Sequence, residues 1–305
     1  MIKSVTITNP NGEELTINLD DIEPESGLFI TEIEGLGPVK ADINMTTLAA
    51  KDGSKYNSSR ANGRNIVMHV RFIYASSVED VRLLSYKYFP LKKKITFHIE
   101  TDNRIAEVDG YIESNEPDIF SPETSAEISI ICESAWFKDA SDTGIQIIDF
   151  SDIVSLFEFE FEDDDEGSPT LEFSSIELRR ENVITYRGDT DTGFIMRLFI
   201  TGAVTNPKIY NIETLEQIKI NSAKVAAVVG SAIQSGDEIR INSIQNQKSI
   251  VLIRAGRSYN ILNALDVNAS WLTLHAGDNI LSYTADSGEL NMMFRIESQI
   301  LLQGV

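Results

Sequence analysis

Cysteine and histidine are scarce in this chain of 305 residues, which has one cysteine and three histidines. A single cysteine, Cys132, excludes an internal disulfide framework, so we expect a fold that depends on packing and synthesis in a reducing compartment. The histidines His69, His98 and His275 lie far apart in strand-like segments, so we expect structural roles for them. The apolar neighbours of Cys132 favour a buried structural thiol, and we expect no resident metal or cofactor.

Basic residues and long apolar runs are also few. The 26 lysines and arginines face 47 acidic residues, which leaves a formal net charge of −21. Such a chain repels nucleic-acid phosphates and anionic lipids, so we expect no specific nucleic-acid binding. No window approaches the roughly 20 apolar residues that a membrane helix needs, and the N-terminal stretch MIKSVTITNPNGEEL lacks the apolar core of a secretion signal. We therefore expect neither membrane insertion nor export by a signal peptide.

Motifs of the common enzyme classes are missing as well. The sequence contains no G-x-S-x-G elbow, no phosphate-binding P-loop and no dinucleotide glycine fingerprint followed by a helix. Pairs of carboxylates carry little information in so acidic a chain, because a glycosidase is recognised by the separation of two carboxyl groups in space. We expect a protein that is not an enzyme.

Strand-like alternation of apolar and polar residues runs through the first half of the chain. In RNIVMHVRFIY, for example, every second residue from Ile66 to Phe72 is large and apolar. The segment SSVEDVRLLSYKYFP differs, because Ser76 and Glu79 have capping-box spacing and the helical pattern stops before Pro90. These patterns predict an antiparallel β domain with a helix at about residues 77 to 88.

The second half consists of short strands separated by glycine, asparagine, aspartate and proline. Strands at a spacing of about ten residues are typical of a β-sandwich or jelly roll. The segment 139–155 is the predicted junction between the halves. The sequence thus predicts an N-terminal domain at 1–142 and a C-terminal domain at 143–305.

The stretch FEFEFEDDDEGSP at 157–169 is the most conspicuous in the chain. Strand periodicity places Phe157, Phe159 and Phe161 on one face and three glutamates on the other. The acids that follow do not keep the spacing of an EF-hand, so a solvated loop is the first interpretation. A low-affinity calcium site at Asp163 to Glu166 is the alternative.

Several longer segments resemble a known family, and they occur in the same order. In the second half these are FEFEFEDDD, GDTDTGFIMRLFITGAVTNPKIYNIETLEQIKIN, GDEIRINSIQNQKSIVLIRAG and SWLTLHAGDNILSYTADSGELNMMFRIESQILLQGV. In the first half, GLFITEIEGLGPVKADINMTTLAAKDGSKYNSSRANGRNIVMHVRF and ISIICESAWFKD fit more loosely. The family they resemble is that of phage distal tail proteins, the siphovirus tail component family.

This resemblance implies a fold and a role. The fold would be mainly β, with a barrel-like or sandwich-like N-terminal β domain that contains one helix, followed by a C-terminal galectin-like β-sandwich. The protein would be a structural component of the virion at the tip of a long non-contractile tail, the baseplate hub. It would form a homohexameric ring between the tail tube protein and the tail-associated hub or fibre protein, with receptor-binding proteins as further partners. Synthesis would take place in the cytoplasm of the bacterial host.

The predicted helix and the arginine-led strand at 64–74 are the candidates for contacts between ring subunits. Head-to-tail contacts in a closed ring allow each subunit to cover strand edges of its neighbour. The candidate contact residues are Arg64, Arg71, Val78, Val81 and Arg82.

A carbohydrate-binding β-sandwich module is the alternative function. Sandwiches of this type often hold sugars against aromatic side chains. Trp136 and Trp271 are the candidates for stacking on a sugar, although their sequence context favours the core for each. Binding of purified protein to a glycan array would favour this alternative, and a hexameric ring in native mass spectrometry would favour the scaffold.

Overall fold

The structure is a computed structural model that describes residues 1–21, 24–47, 49, 52–73, 77–118, 124–155, 174–178 and 181–305. Its residues group into two compact units. Unit 1 contains Met1–Gly144 together with Leu301–Val305, and unit 2 contains Ile145–Ile300. The sequence placed the boundary after residue 142 and the C-terminus in the second domain, whereas here residues 301–305 return to unit 1.

The described elements are mainly strands. Those of unit 1 are β1 (Ile2–Thr8), β2 (Glu14–Asn18), β3 (Leu28–Glu34), β4 (Ala41–Thr47), β5 (Ser54–Ala61), β6 (Arg64–Phe72), β7 (Lys94–Thr101), β8 (Ile105–Pro117), β9 (Ser125–Cys132) and β10 (Phe137–Asp139). Those of unit 2 are β11 (Ile145–Asp149), β12 (Ser151–Ser155), β13 (Ser174–Leu178), β14 (Glu181–Tyr186), β15 (Phe194–Ile200), β16 (Lys208–Asn211), β17 (Gln217–Lys219), β18 (Glu238–Asn242), β19 (Ser249–Arg254), β20 (Arg257–Asn260), β21 (Gly277–Thr284) and β22 (Met292–Gln299). The last strand, β23 (Leu301–Leu302), belongs to unit 1, and the helices are α1 (Val78–Tyr88) and α2 (Ser222–Val229).

Unit 1 is built on an antiparallel sheet. Seven strands follow the order β2-β1-β7-β8-β9-β6-β3, and β10 pairs with both β8 and β23. Alternation decides which face is buried, since Ile66, Met68 and Val70 of β6 are at most 1% exposed. Burying an aliphatic side chain of this kind contributes about 1.5–3 kcal/mol. The predicted antiparallel β domain is confirmed.

Helix α1 lies close to where the sequence predicts it. Its N-cap is Ser77, whose side chain accepts hydrogen bonds from the backbone N–H groups of Glu79 and Asp80. The sequence predicts Ser76 as the capping residue, but Ser76 lies outside the described residues. The structure thus confirms the helix itself and gives the cap to the next serine along.

The inner side of α1 packs closely on unit 1. Val81, Ser85 and Tyr88 are its buried residues. Gly27, at φ +72°, lies so near that a Cβ there would be 2.7 Å from Cγ2 of Val81 and 2.6 Å from the carbonyl oxygen of Ile73. Only glycine combines this backbone angle with that contact, so Gly27 sets how closely the helix approaches.

Unit 2 contains two larger antiparallel sheets. One has the order β11-β22-β15-β18-β19-β20 and the other the order β14-β21-β16-β17. Side chains from both sheets meet where the rings of Tyr283 and Phe294 lie 4.4 Å apart, and Phe150 packs edge-on against Tyr283 at 6.4 Å. Two sheets that share an apolar layer agree with the predicted sandwich. The galectin-like detail stays a prediction.

Among the described residues, neither helix has the length and apolar character needed to cross a bilayer.

Strands β12 and β13 pair antiparallel, with Ser155 opposite Ser174. The stretch between them lies outside the described residues, so the phenylalanine strand and the calcium site at Asp163 to Glu166 stay predictions.

Candidate assembly surface

A β-hairpin of unit 1, here called the arm, stands apart from the main sheet. It consists of β4 and β5, which pair with each other and with no other described strand. All residues of both strands are exposed except Ala61, which is half-buried. An isolated two-stranded hairpin is marginal in water, and exposed strand edges are ready templates for pairing with another chain. The arm therefore has the properties of a segment that a partner covers.

One face of the arm is apolar. A register shift between Asn44 and Met45 places Met45 opposite Tyr56 and Ile43 opposite Ser59. The hydroxyls of Tyr56 and Ser59 lie 2.8 Å apart, which shows that the irregularity brings both to the same face. Ile43, Met45 and Tyr56 are 59%, 56% and 55% exposed. We call these three residues the arm stripe.

Arg64 holds the base of the arm. Its side chain is 1% exposed, and its Cζ lies 4.1 Å from the centre of the Phe137 ring. Burial lowers the pKa of the guanidinium from its ordinary value, but an arginine stays charged at neutral pH. The charge is met by backbone carbonyl oxygens from three separate segments of the chain. The acceptors are those of Gly35, Gly37 at 2.7 Å, Ala135 at 2.9 Å and Gln303 at 2.7 Å.

Arg64 therefore does not lie where the predicted ring contact needs it. The donors on both of its terminal nitrogens are already used inside unit 1. Residue 64 shares the buried face of Ile66 and Met68 because β6 has a period of two. The remaining candidates differ in exposure: Arg71 is exposed, Val78 and Arg82 are half-buried, and Val81 is buried. The exposed apolar side chains of α1 are instead Leu83 at 54% and Tyr86 at 41%, one turn apart.

Cys132 is buried, as predicted, at 1% exposure. Burial raises the pKa of its thiol from an ordinary value near 9.0 to about 11, although the nearby Arg64 charge acts in the opposite direction. A thiol with so high a pKa is almost entirely protonated at neutral pH, and the thiolate is the nucleophilic form. The side chain thus behaves as a small apolar core residue.

Alkaline pH should destabilise unit 1 through this thiol. The unfolded thiol loses its proton near pH 9, whereas the folded one keeps it to about pH 11, so stability falls across that interval. The expected loss is about 2–3 kcal/mol. Urea unfolding of wild type and Cys132→Ala between these pH values tests it. Lysines and tyrosines affect both proteins equally, so the two stability curves should converge as pH rises; parallel curves would contradict the prediction.

A group of possible metal ligands lies on the solvent side of the same sheet. One donor atom from each of Glu32, Glu34 and His69 lies within 4.8 Å of the other two. His275 contacts Asp191, with 3.0 Å between Nδ1 and the carboxylate oxygen. The sequence treated all three histidines as structural, and it did not indicate that two glutamates of β3 meet His69 of β6.

The two tryptophans are half-buried, each within its own unit. Trp136 follows Ala135 in unit 1, and Trp271 lies in unit 2 with the Lys248 Nζ 5.3 Å from its ring centre. A sugar-binding platform normally offers an open aromatic face. The lysine already covers part of Trp271, so this geometry gives the carbohydrate alternative no specific support.

Part of unit 2 matches a known protein family. Residues 187–297 match the family described as siphovirus-type tail component, C-terminal domain. No curated protein matches the chain. The Dit protein of phage SPP1, described as a paradigm of the hub adsorption apparatus in phages that infect Gram-positive bacteria, is 11% identical with a TM-score of 0.61, over 98% of this chain and 100% of that one. A chain of the phage P2 baseplate in its activated conformation with calcium is 11% identical with a TM-score of 0.45, over 98% and 99%.

The family match and the fold match cover different parts of the chain. The matched residues all lie in unit 2, whereas the SPP1 protein shares its fold with nearly the whole chain. Both agree with the resemblance that the sequence carries. Residues 187–297 thus match the C-terminal domain of the siphovirus-type tail component family, and the chain shares the fold of the SPP1 Dit protein.

Proposed function

We propose that this chain forms a homohexameric ring that connects the tail tube to the adsorption or tail-fibre hub of a long non-contractile tail. The observation that carries the proposal is the arm, whose two strands pair only with each other among the described residues and whose stripe is more than half exposed. Contiguous exposed apolar residues of this kind mark protein interaction sites. In a ring, each arm would lie against the next subunit.

The geometry of a closed ring suits such an arm. A head-to-tail contact uses two different surfaces of each subunit, so one arm and one receiving surface per chain suffice for closure. The exposed face of α1, with Leu83 and Tyr86, is our candidate for the receiving surface. Backbone pairing at the arm would remove its free strand edges, which otherwise promote aggregation.

The role we propose is structural and not enzymatic. Unit 1 would provide the ring and contact the tail tube protein, and unit 2 would face the hub or fibre protein and any receptor-binding proteins. A buried, protonated Cys132 is compatible with synthesis in the host cytoplasm and release with the virion.

Negative-stain imaging and native mass spectrometry of the purified chain test the ring. Wild type should form six-fold rings with a central hole, whereas the double variant Ile43→Asp and Met45→Asp should remain monomeric. Each buried aliphatic contact contributes about 1.5–3 kcal/mol, so the two charges should weaken association at least about a hundredfold. The matched control is Asn44→Asp, which adds a charge to the opposite face of the same strand and should leave the ring intact.

Two results would count against the ring. Wild type that stays monomeric at high concentration would exclude self-assembly through the arm. Equal loss of rings in the control and in the stripe variant would show that added charge, and not the apolar contact, is responsible. Circular dichroism should be the same for all three proteins, because the arm pairs with no other described strand.

A further inference from the structure

We propose that Glu32, Glu34 and His69 form a binding site for a divalent transition-metal ion, with zinc as the best fit. The three donor atoms lie within 4.8 Å of one another. They come from the two neighbouring strands β3 and β6, so their backbone positions are fixed by strand pairing. The site goes beyond the ring proposal and does not depend on it.

A local irregularity of the sheet creates the cluster. Ile30 lies opposite Val70 and is buried, and the register then shifts so that Glu32 lies opposite His69. In a regular strand, residues 30 and 32 would share a face, and Glu32 would point into the core. The extra residue, Thr31, turns Glu32 outward, and its hydroxyl donates to the carbonyl oxygen of His69 at 3.1 Å. The bulge therefore aligns both glutamates with the imidazole.

Carboxylates outnumber the cations around the cluster, where Arg71, on the same face of β6 as His69, lies over the Phe29 ring. Within the described parts of the chain, neither Glu32 nor Glu34 forms an ion pair with lysine or arginine. Glu127 of β9 lies opposite His69 from the other side and adds a third carboxylate to the same face. Carboxylates so close together repel one another, and a bound divalent ion would remove that repulsion.

One imidazole and two carboxylates suit zinc better than calcium. Zinc binds imidazole nitrogen at about 2.0–2.1 Å and carboxylate oxygen at about 2.0–2.2 Å, commonly with three protein ligands and one open position. Ligands around such an ion lie roughly 3.4 Å apart, so the exposed glutamate side chains need only rotate inward. Calcium prefers six to eight oxygen ligands and gains little from an imidazole, so it should bind this site more weakly.

The position of the site indicates what the ion would do. Strand β3 is the last in the sheet order and pairs only with β6 among the described strands. These two strands lead into and out of the arm, since β3 ends at Glu34 and β6 begins at Arg64. A metal that joins Glu32 and Glu34 to His69 would fasten this edge strand and stiffen the arm's base.

Isothermal titration calorimetry with zinc chloride, in buffer that contains excess calcium to occupy weak carboxylate sites, tests the proposal. Wild type should bind one zinc ion per chain. His69→Gln and Glu34→Gln should each weaken zinc binding at least about tenfold. Even the loss of a group that only hydrogen-bonds a metal ligand lowers metal affinity by about that factor. His98→Gln is the matched control, a half-buried histidine on β7 outside the cluster, and should bind zinc like wild type.

A spectroscopic readout keeps the test independent of stability. Cobalt(II) bound to wild type should give the visible absorption of a low-coordinate nitrogen and oxygen site, and His69→Gln should lose it. Glu34→Gln, at an exposed position, should retain native circular dichroism, so a folding defect in one variant does not hide the result. Zinc binding of equal strength in wild type, His69→Gln and Glu34→Gln, or calcium binding as tight as zinc binding, would overturn the proposal.

Discussion

Replacement of Arg64 by leucine should lower the free energy of unfolding of unit 1 by about 3–5 kcal/mol. The leucine would fill much of the volume but donate to none of the four carbonyl oxygens that the guanidinium now satisfies. Those oxygens lie in the segments before the arm, after β9 and near the C-terminus. Their loss of a common donor would therefore loosen three separate parts of unit 1 together.

The tryptophans allow each unit to be followed separately. In a Trp271→Phe background the fluorescence reports on Trp136, which directly follows Ala135, one of the Arg64 acceptors. Urea unfolding of Arg64→Leu in that background measures the loss in unit 1. Arg64→Lys should fall between wild type and leucine, because an ammonium has three donors but lacks the planar fork that reaches several acceptors.

The control for Arg64 is an arginine of the same strand with little burial. Arg71 is exposed, and its Cζ lies 5.3 Å from the centre of the Phe29 ring. Arg71→Leu should change the stability of unit 1 by no more than about 1 kcal/mol. If Arg64→Leu were no more harmful than Arg71→Leu, the carbonyl contacts of Arg64 would not contribute to stability.

Arg64 is a candidate ring contact from the sequence but a buried residue in the structure. The alternation from Ile66 to Phe72 predicts the buried face of β6, and the same period of two places residue 64 on that face. A charged residue at the end of a strand nevertheless suggested the surface. The carbonyl acceptors come from Ala135 and Gln303, 71 and 239 residues away in sequence, and no local pattern predicts such partners.

Other elements escaped prediction for different physical reasons. The arm is polar on one face and apolar on the other, so its two strands resemble any half-buried hairpin until the structure shows that no described strand covers them. Helix α2 is missing from the sequence prediction although residues typical of helix ends flank it. Asn221 caps its start, and Gly230 ends it at φ 90°. The cluster at His69 depends on a bulge at Thr31, and a single extra residue in one strand leaves no periodic trace.

Removal of the Asp237 carboxylate should destabilise unit 2 by about 3 kcal/mol. The Asp237 side chain is fully buried, and it accepts two hydrogen bonds of 2.6 Å from Arg254. It also accepts from the backbone N–H of Gln234 at 2.9 Å, so it orders the turn between α2 and β18. In Asp237→Ala, Arg254 would keep only its bonds to Ser231 and Ala232, and the turn would lose its acceptor.

A second arginine and carboxylate pair in the same unit provides the control. Arg295 and Asp149 form a similar two-pronged contact at 2.8 and 3.1 Å, but both side chains are more than 40% exposed. Water solvates these charges in either state, so Asp149→Ala should cause little measurable change. Urea unfolding in a Trp136→Phe background, where Trp271 reports on unit 2, compares the two variants directly.

The double variant Asp237→Leu with Arg254→Met distinguishes two explanations for the stability that Asp237→Ala loses. If the cost of Asp237→Ala comes from an unpaired charge and an unsatisfied turn, removal of both charges should recover part of the stability. The Gln234 N–H would still lack its acceptor, so recovery should be incomplete. If the double variant lost as much stability as Asp237→Leu and Arg254→Met lose in sum when made singly, the two side chains would instead stabilise unit 2 independently of their contact.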